Sequence, residues 1–316
     1  MKIDEKKTEL ISKIKTIYPS IYEEILNNIR TPVLKSFRVI DGNKEEEIYK
    51  QLLKEGFDLI KINGIHKAYS ILNEKNYPIS KSKAYINKEI YIQELSSMLA
   101  VEILEPKPFE NILDLCAAPG SKTSQIANLT NNLANIFAVE SNPNRIKRLK
   151  NVIEEYKVGA NLIKTDGRPF LKYYPKFSDF FDRVLVDAPC TNEGSLYLNN
   201  TNLFKYWSKN EPKRISKLQK GLLNSGFKAL KKNGILVYST CTMSVEENEL
   251  VIDWLLKKHK DAHLLNIDLQ YVSNLEYVDG VCEYNQKNLN SNIHKTKRII
   301  PNRYFSAFFI AKFTKI

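Results

Sequence analysis

Two cysteines stand where a sulfur nucleophile and a helper would be expected: Cys190 in Asp187-Ala188-Pro189-Cys190, and Cys241 in Ser239-Thr240-Cys241. Each lies where an apolar run, 184–187 or 235–238, gives out, and both runs read as β-strands. A thiolate is useful for methylating a carbon that is not itself nucleophilic enough, such as C5 of a pyrimidine. Attack at C6 makes C5 enamine-like, and removal of the C5 proton afterwards lets the sulfur leave. That chemistry needs a thiolate, an acidic or amide partner for the polar edge of the base, and a proton acceptor. Cys241, Asp187 and Cys190 are the candidates, and their spacing leaves open how they divide the work. A lone free cysteine is more often a small core residue. Two at neighbouring strand ends, one behind Asp-x-Pro, favour chemistry, because open α/β sheets keep their sites at the carboxyl ends of strands.

A third apolar run, 111–115, leads into Cys116-Ala117-Ala118-Pro119-Gly120-Ser121-Lys122-Thr123. Small residues in such a turn let backbone N–H groups approach a ligand, and the following helix presents its positive end. The turn matches neither a dinucleotide fingerprint nor a Walker A loop. Glu140 ends the second strand about 20 residues further on, where an acidic side chain can take both hydroxyls of a ribose. Asp166 ends the third, within reach of an adenine amino group. Turn, ribose acid and adenine acid together fit an adenosyl ligand without a pyrophosphate, which points to S-adenosylmethionine. Cys116 reads as a packing and backbone-contact residue within that turn. The four histidines show no metal-ligand spacing, and no metal is expected.

These residues need a scaffold of alternating strands and helices. Beyond Pro108 the pattern gives a strand at 112–115, a helix at 123–129, a strand at 135–139, a helix at 143–156 and strands at 160–163 and 184–186. A long helix ending near Lys232, a strand at 235–238 and a helix at 245–257 follow. Repeated βα units imply an α/β fold with a mostly parallel, doubly wound, Rossmann-like sheet. The last apolar run, 304–313, is expected to add an antiparallel strand at or near the edge. Ahead of Pro106 and Pro108 the pattern is mixed, with helices around Leu10 to Ile29, a strand at 37–40, and helices at 45–53 and within 87–104. This predicts a smaller α+β domain over 1–107 and the sheet domain over 108–316.

The 48 basic and 36 acidic residues among 316 leave a formal net charge of +12, which favours a polyanionic partner. No Asp or Glu follows Gln286, whereas Arg298 and Arg303 lie in that tail. In the helix after Glu211-Pro212, Lys213, Lys217 and Lys220 share one face opposite Ile215, Leu218 and Leu222. A solvated face would explain any one of these clusters; several around one candidate site favour nucleic acid. No apolar run approaches the ~20 residues that span a bilayer. The charged start and the four unframed cysteines fit a reducing compartment, so a cytoplasmic location is expected.

Over most of its length the chain resembles the Sun family of RNA cytosine-5 methyltransferases. The residues that carry the resemblance are the loop Asp114 to Thr123, the Pro-Cys motif ending in Cys190 and the Ser-Thr-Cys motif ending in Cys241, in the family's order. Phe37-Arg38-Val39 and the stretch Tyr91-Ile92-Gln93-Glu94-Leu95-Ser96-Ser97 look like further landmarks, with Glu94 where the family has Asp. The resemblance implies a class I methyltransferase domain behind an RNA-binding extension. It makes Cys241 the nucleophile, with Cys190 assisting product release. Asp187 and Lys122 would lie beside the cytosine and the cofactor, and Arg145 near the cofactor. Ser306-Ala307 departs from the family's usual Asp-Gly, and Glu140 from its more frequent Asp. The compact length is nearest to archaeal-type enzymes acting on transfer RNA, with ribosomal RNA as the alternative substrate and a monomer expected. A scaffold with the same fold but no turnover is the competing class, and the paired thiols speak against it.

Overall fold

The computed structural model describes residues 3–205 and 207–316. Its front part begins with two helices, α1 (Ile3–Ile17) and α2 (Tyr22–Asn28). Leu10, Ile14 and Ile17 recur at helical spacing on the buried stripe of α1. A small antiparallel sheet follows, made from β1 (Ser36–Val39), β2 (Phe57–Ile62), β3 (Ala68–Glu74) and β4 (Ile90–Ile92) in the order β2-β3-β1-β4. The helices α3 (Glu45–Lys54) and α4 (Lys83–Ile86) belong to it and share its core of Phe37, Val39, Ile48, Leu52, Phe57 and Ile90. After β4 comes α5 (Leu95–Leu104), whose buried side chains join the core under the larger sheet. The helices α1 and α2 also pack away from the small sheet, against Leu196, Phe204, Trp207, Met243, Val245 and Ile300.

The larger sheet is built from β5 (Asn111–Asp114), α6 (Ser121–Leu129), β6 (Asn135–Glu140), α7 (Pro143–Glu155), β7 (Ala160–Lys164), α8 (Phe170–Tyr173), β8 (Phe181–Asp187), α9 (Glu211–Ala229), β9 (Leu230–Thr240) and α10 (Glu249–Lys258). It closes with β10 (Ala262–Leu264), β11 (Tyr277–Asp279), the small hairpin β12 (Glu283–Tyr284) and β13 (Lys287–Asn288), β14 (Lys297–Ile299) and β15 (Phe308–Lys315). The strand order is β11-β14-β15-β9-β8-β5-β6-β7, with β10 also pairing β15. The five strands from β9 to β7 run parallel, as a doubly wound sheet requires. Chain order reverses between β5 and β8, so the crevice beyond their carboxyl ends is the switch point where such sheets bind ligands.

Three expectations are corrected. The strand over 304–313 begins at Phe308 and lies inside the sheet, because β14 and β11 extend it beyond β15. The long helix stops at Ala229, since Leu230 already pairs with Phe181 and a register shift follows before Ile235 meets Arg183. The helix expected from 245 starts at Glu249. Asn248 is occupied instead in joining Thr240 Oγ1 to the Thr242 carbonyl.

Candidate active site

The carboxyl ends of β5, β8 and β9 converge on one cavity of about 330 Å³, lined by residues of the Cys116 turn, by Lys122, Arg145, Asp187, Pro189 and Asn192, and by both Cys190 and Cys241. The two sulfurs are 3.2 Å apart. They meet because β8 and β9 are adjacent and in parallel register, Asp187 opposite Ser239. Hydrogen bonding to its neighbour and burial together push the Cys190 thiol well above the usual range. Cys241 Sγ also donates to Asn192 Oδ1 at 2.6 Å.

Asp187 and Lys122 form the polar wall beside the sulfurs. Lys122 Nζ lies 2.7 Å from Asp187 Oδ2 and donates to Ser97 Oγ at 2.8 Å, while Ser239 Oγ donates to Asp187 Oδ1 at 2.7 Å. The pair is little exposed and each partner is held by a further hydrogen bond, which fixes direction as well as charge.

The turn from Cys116 through Ala117, Ala118, Pro119, Gly120 and Ser121 to Lys122 wraps the amino end of α6, with Gly120 at φ 113°. Only glycine adopts that angle readily. Burial raises the Cys116 thiol, consistent with its reading as a packing residue. Glu140 is buried at the end of β6, its Oε1 accepting from the Ser141 and Asn142 N–H groups. Arg145 reaches from α7 to pair with Glu140 Oε2 at 3.1 Å and to donate to the Ala118 carbonyl at 2.5 Å. Glu140, Arg145, Asp166 and Pro189 line a second cavity of about 110 Å³, which shares Cys116, Arg145 and Pro189 with the first. Gly167 lines it too, and a Cβ there would come 2.8 Å from Leu222 and 3.0 Å from Leu115. A small cavity bounded by two carboxylates opens past a small-residue turn toward two thiols, and its lining is the one the expected adenosyl ligand requires. Asp166 is partly engaged already: Arg168 grips both its oxygens and lowers its carboxyl below the usual range.

The predicted nucleic-acid contacts divide. Lys213 and Lys217 are exposed on α9, and Arg303 is exposed before β15. Lys220 is half-buried, and burial lowers its ammonium. Arg298 is corrected outright, because it is 1% exposed. It is bound to the Glu249 carboxylate, donates to Tyr18 OH and the Met243 carbonyl at 2.9 Å each, and has no face to offer a phosphate.

Several residues at the site went unread. Glu247 accepts from Thr191 N–H at 2.9 Å and Gln219 Nε2 at 3.0 Å, and from the Thr191 hydroxyl, so it clamps the Pro-Cys loop. Burial raises its carboxyl. Glu193, fully buried, accepts from Lys13, Trp207, Thr242 and Ser244. The sequence offers no distinct signal for them, because acidic residues just ahead of an apolar helix such as Glu246, Glu247 and Glu249 are an ordinary helix start. Two of the three departures noted earlier, Ser306 and Glu94, face one another, Ser306 Oγ donating to Glu94 Oε2 at 2.9 Å. Arg38, buried, links Gln93 at 3.0 Å to Ser124 of α6 at 2.7 Å, and so ties the small sheet to the back of the cofactor turn.

Residues 101–314 match the family described as 16S rRNA methyltransferase RsmB/F. A tRNA (cytosine(49)-C(5))-methyltransferase of Pyrococcus abyssi is 34% identical over 319 residues, covering 99% of this chain and 97% of that protein. Ribosomal RNA small subunit methyltransferase F of Vibrio vulnificus is 37% identical over 259 residues, covering 80% of this chain and 54% of that protein. The chain thus spans about half the length of the Vibrio relative. Among solved structures, a methyltransferase homologue from Pyrococcus horikoshii superposes with a TM-score of 0.82 at 28% identity, covering 96% of this chain and 94% of that one.

Proposed function

The chain belongs to the Sun family, matched as 16S rRNA methyltransferase RsmB/F, and from that premise we propose that it methylates C5 of cytosine in RNA, with transfer RNA as its substrate class. S-adenosylmethionine is the methyl donor: bound, it supplies an electrophilic methyl group to C5. The observation that carries the reading is the pair of sulfurs 3.2 Å apart beside the Lys122–Asp187 pair.

The Cys241 thiolate attacks C6, and the electron pair of the C5–C6 double bond moves toward C5 and the N3 edge of the base. Asp187, held by Ser239 and Lys122, hydrogen-bonds that edge. After methylation the C5 proton leaves to a base. The double bond re-forms, and the C6–S bond breaks with its electron pair returning to Cys241. Cys190, 3.2 Å from that sulfur, suits the second half of the cycle, hydrogen-bonding to the departing sulfur rather than attacking.

Glu140 and Asp166 hold the adenosyl group, with Arg145 and the turn from Cys116 to Lys122 around it. Residues 1–107 form the RNA-binding extension and 108–316 the methyltransferase domain, acting as a cytoplasmic monomer. Full-length correspondence with the Pyrococcus abyssi tRNA enzyme supports transfer RNA over ribosomal RNA. The test is transfer of labelled methyl to unmodified transfer RNA and ribosomal RNA by the wild type, Cys241→Ala and Cys190→Ala, with denaturing gels. Expected are 5-methylcytosine in transfer RNA, an inert Cys241→Ala, and a covalent RNA adduct trapped by Cys190→Ala. Methylation of ribosomal RNA alone reassigns the substrate; an adduct retained by Cys241→Ala and lost in Cys190→Ala reverses the two cysteines.

A further inference from the structure

Asn192 has no role in the scheme above, yet its side chain touches the sulfur on which the reaction turns. Its Oδ1 accepts the Cys241 thiol at 2.6 Å, and it lines the same cavity as both cysteines. The residue sits at φ 61°, the left-handed region that Asn tolerates better than most side chains. Buried groups hold the chain on both sides of it. Before it, Thr191 is clamped by Glu247 through both its N–H and its hydroxyl. After it, Glu193 is anchored by Lys13 of α1 and by Trp207, Thr242 and Ser244. Next, the Gly194 N–H donates to the Cys241 carbonyl at 2.9 Å. A Cβ on Gly194 would come 2.3 Å from the Ala307 carbonyl oxygen, so this approach of the two loops requires glycine. Between these fixed points only Asn192 is exposed, and it faces the cavity.

We infer that Asn192 is a further catalytic residue: its amide accepts the resting Cys241 thiol and, once that proton has passed to solvent, turns to donate Nδ2–H to the thiolate that attacks the base. The inference rests on the reading of Cys241 as the attacking sulfur. A primary amide suits both states, because it carries an acceptor and two donors on one carbon, exchanged by a half-turn about χ2. A carboxylate at the same place could only accept, and would repel the sulfur anion. A hydrogen bond to a charged group is strong enough that its loss should slow the step by about tenfold or more.

Asn192→Gly and Asn192→Asp both keep a residue that tolerates the left-handed backbone. The measurement is Cys241 alkylation by iodoacetamide, resolved by peptide mass spectrometry at about pH 7.5 and about pH 9.5. It is joined by covalent RNA adduct formation in a Cys190→Ala background, with S-adenosylhomocysteine affinity measured on the same samples. At the lower pH, Asn192→Gly should slow both reactions by about tenfold and Asn192→Asp by more, with the alkylation gap narrowing at the higher pH and cofactor affinity unchanged. Rates indistinguishable from wild type overturn the proposal, and so does a fall in cofactor affinity that parallels the fall in rate, which would mark a packing role. A Cys241→Ser control separates the two levels of the argument. If that variant still methylates RNA, the assignment of Cys241 fails and Asn192 loses its role with it. If it is inert while the Asn192 variants behave as wild type, only the role of Asn192 fails.

Discussion

Asp114 ends β5 wholly out of solvent, with Thr123 Oγ1 on one oxygen at 2.7 Å and no partner on the other. Burial, aided by the nearby negative charge of Asp187, raises its carboxyl from 3.8 to about 6. A carboxyl raised in the folded state contributes stability that is complete below the unfolded value and is lost as pH rises through the folded value. The cost of ionising it reaches about 3 kcal/mol at neutral pH. Asp114→Asn should therefore gain on the wild type by roughly that amount between about pH 4 and about pH 7.5, read by urea unfolding without cofactor. A stability difference that stays constant with pH would rule this out. Residues of this kind show what a sequence reveals. Cys190, Cys241, Asp187 and Glu140 were legible because each is a rare reactive group at the end of an apolar strand. Arg298 was misread because charge is visible in a sequence and burial is not. Its partner Glu249 lies 49 positions away, and Tyr18 lies 280 positions away. Asn192 and Glu193 were missed for the same reason, since their meaning depends on Cys241 and Lys13 across the fold.

At the scale of elements, periodicity recovered the parallel strands and their crossover helices, whose apolar faces repeat cleanly. It failed for β2, where a register shift at Asp58 and Leu59 breaks the alternation. It also failed for β11 and β14, each three residues long and too short to show a period. Nor does periodicity tell where α1 docks. Lys13 of α1 is 2.7 Å from the buried Glu193, and through it the first helix braces the loops that carry both cysteines. Breaking one side of a buried ion pair leaves the other charge uncompensated, at a cost of about 3–5 kcal/mol. Lys13→Met should therefore lower the thermal midpoint and slow adduct formation in the Cys190→Ala background. Adding Glu193→Gln should restore most of the stability, because the amide oxygen can still accept from the Trp207 indole N–H while the hydroxyls of Thr242 and Ser244 turn to accept from its NH2 group. A double variant no more stable than Lys13→Met would show that α1 docks by its apolar stripe alone.

For the whole molecule, the net charge of +12 acquires a direction once buried cations are set apart from exposed ones. Arg298 and Arg38 are spent inside the fold, whereas Lys213 and Lys217 project from α9. The opposite side of that helix meets the site, with Gln219 Nε2 donating to the Pro189 carbonyl at 2.9 Å and Leu218 and Leu222 lining the cavity beside Glu140 and Asp166. A polyanion drawn to the exposed face of α9 would lie across that helix from the site. If Lys213 and Lys217 each neutralise one phosphate, replacing both with Glu should weaken RNA binding and flatten the dependence of log affinity on log salt by about 1.4–1.8. Lys220, half-buried, belongs outside that count. Affinity for S-adenosylhomocysteine should not change, because neither lysine lines a cavity shared with Glu140 or Asp166. Filter binding across a salt series distinguishes the outcomes: an unchanged slope in the double variant would return this face of α9 to ordinary solvated surface. In that case the RNA path would have to be sought on the side of Arg303 and the small sheet.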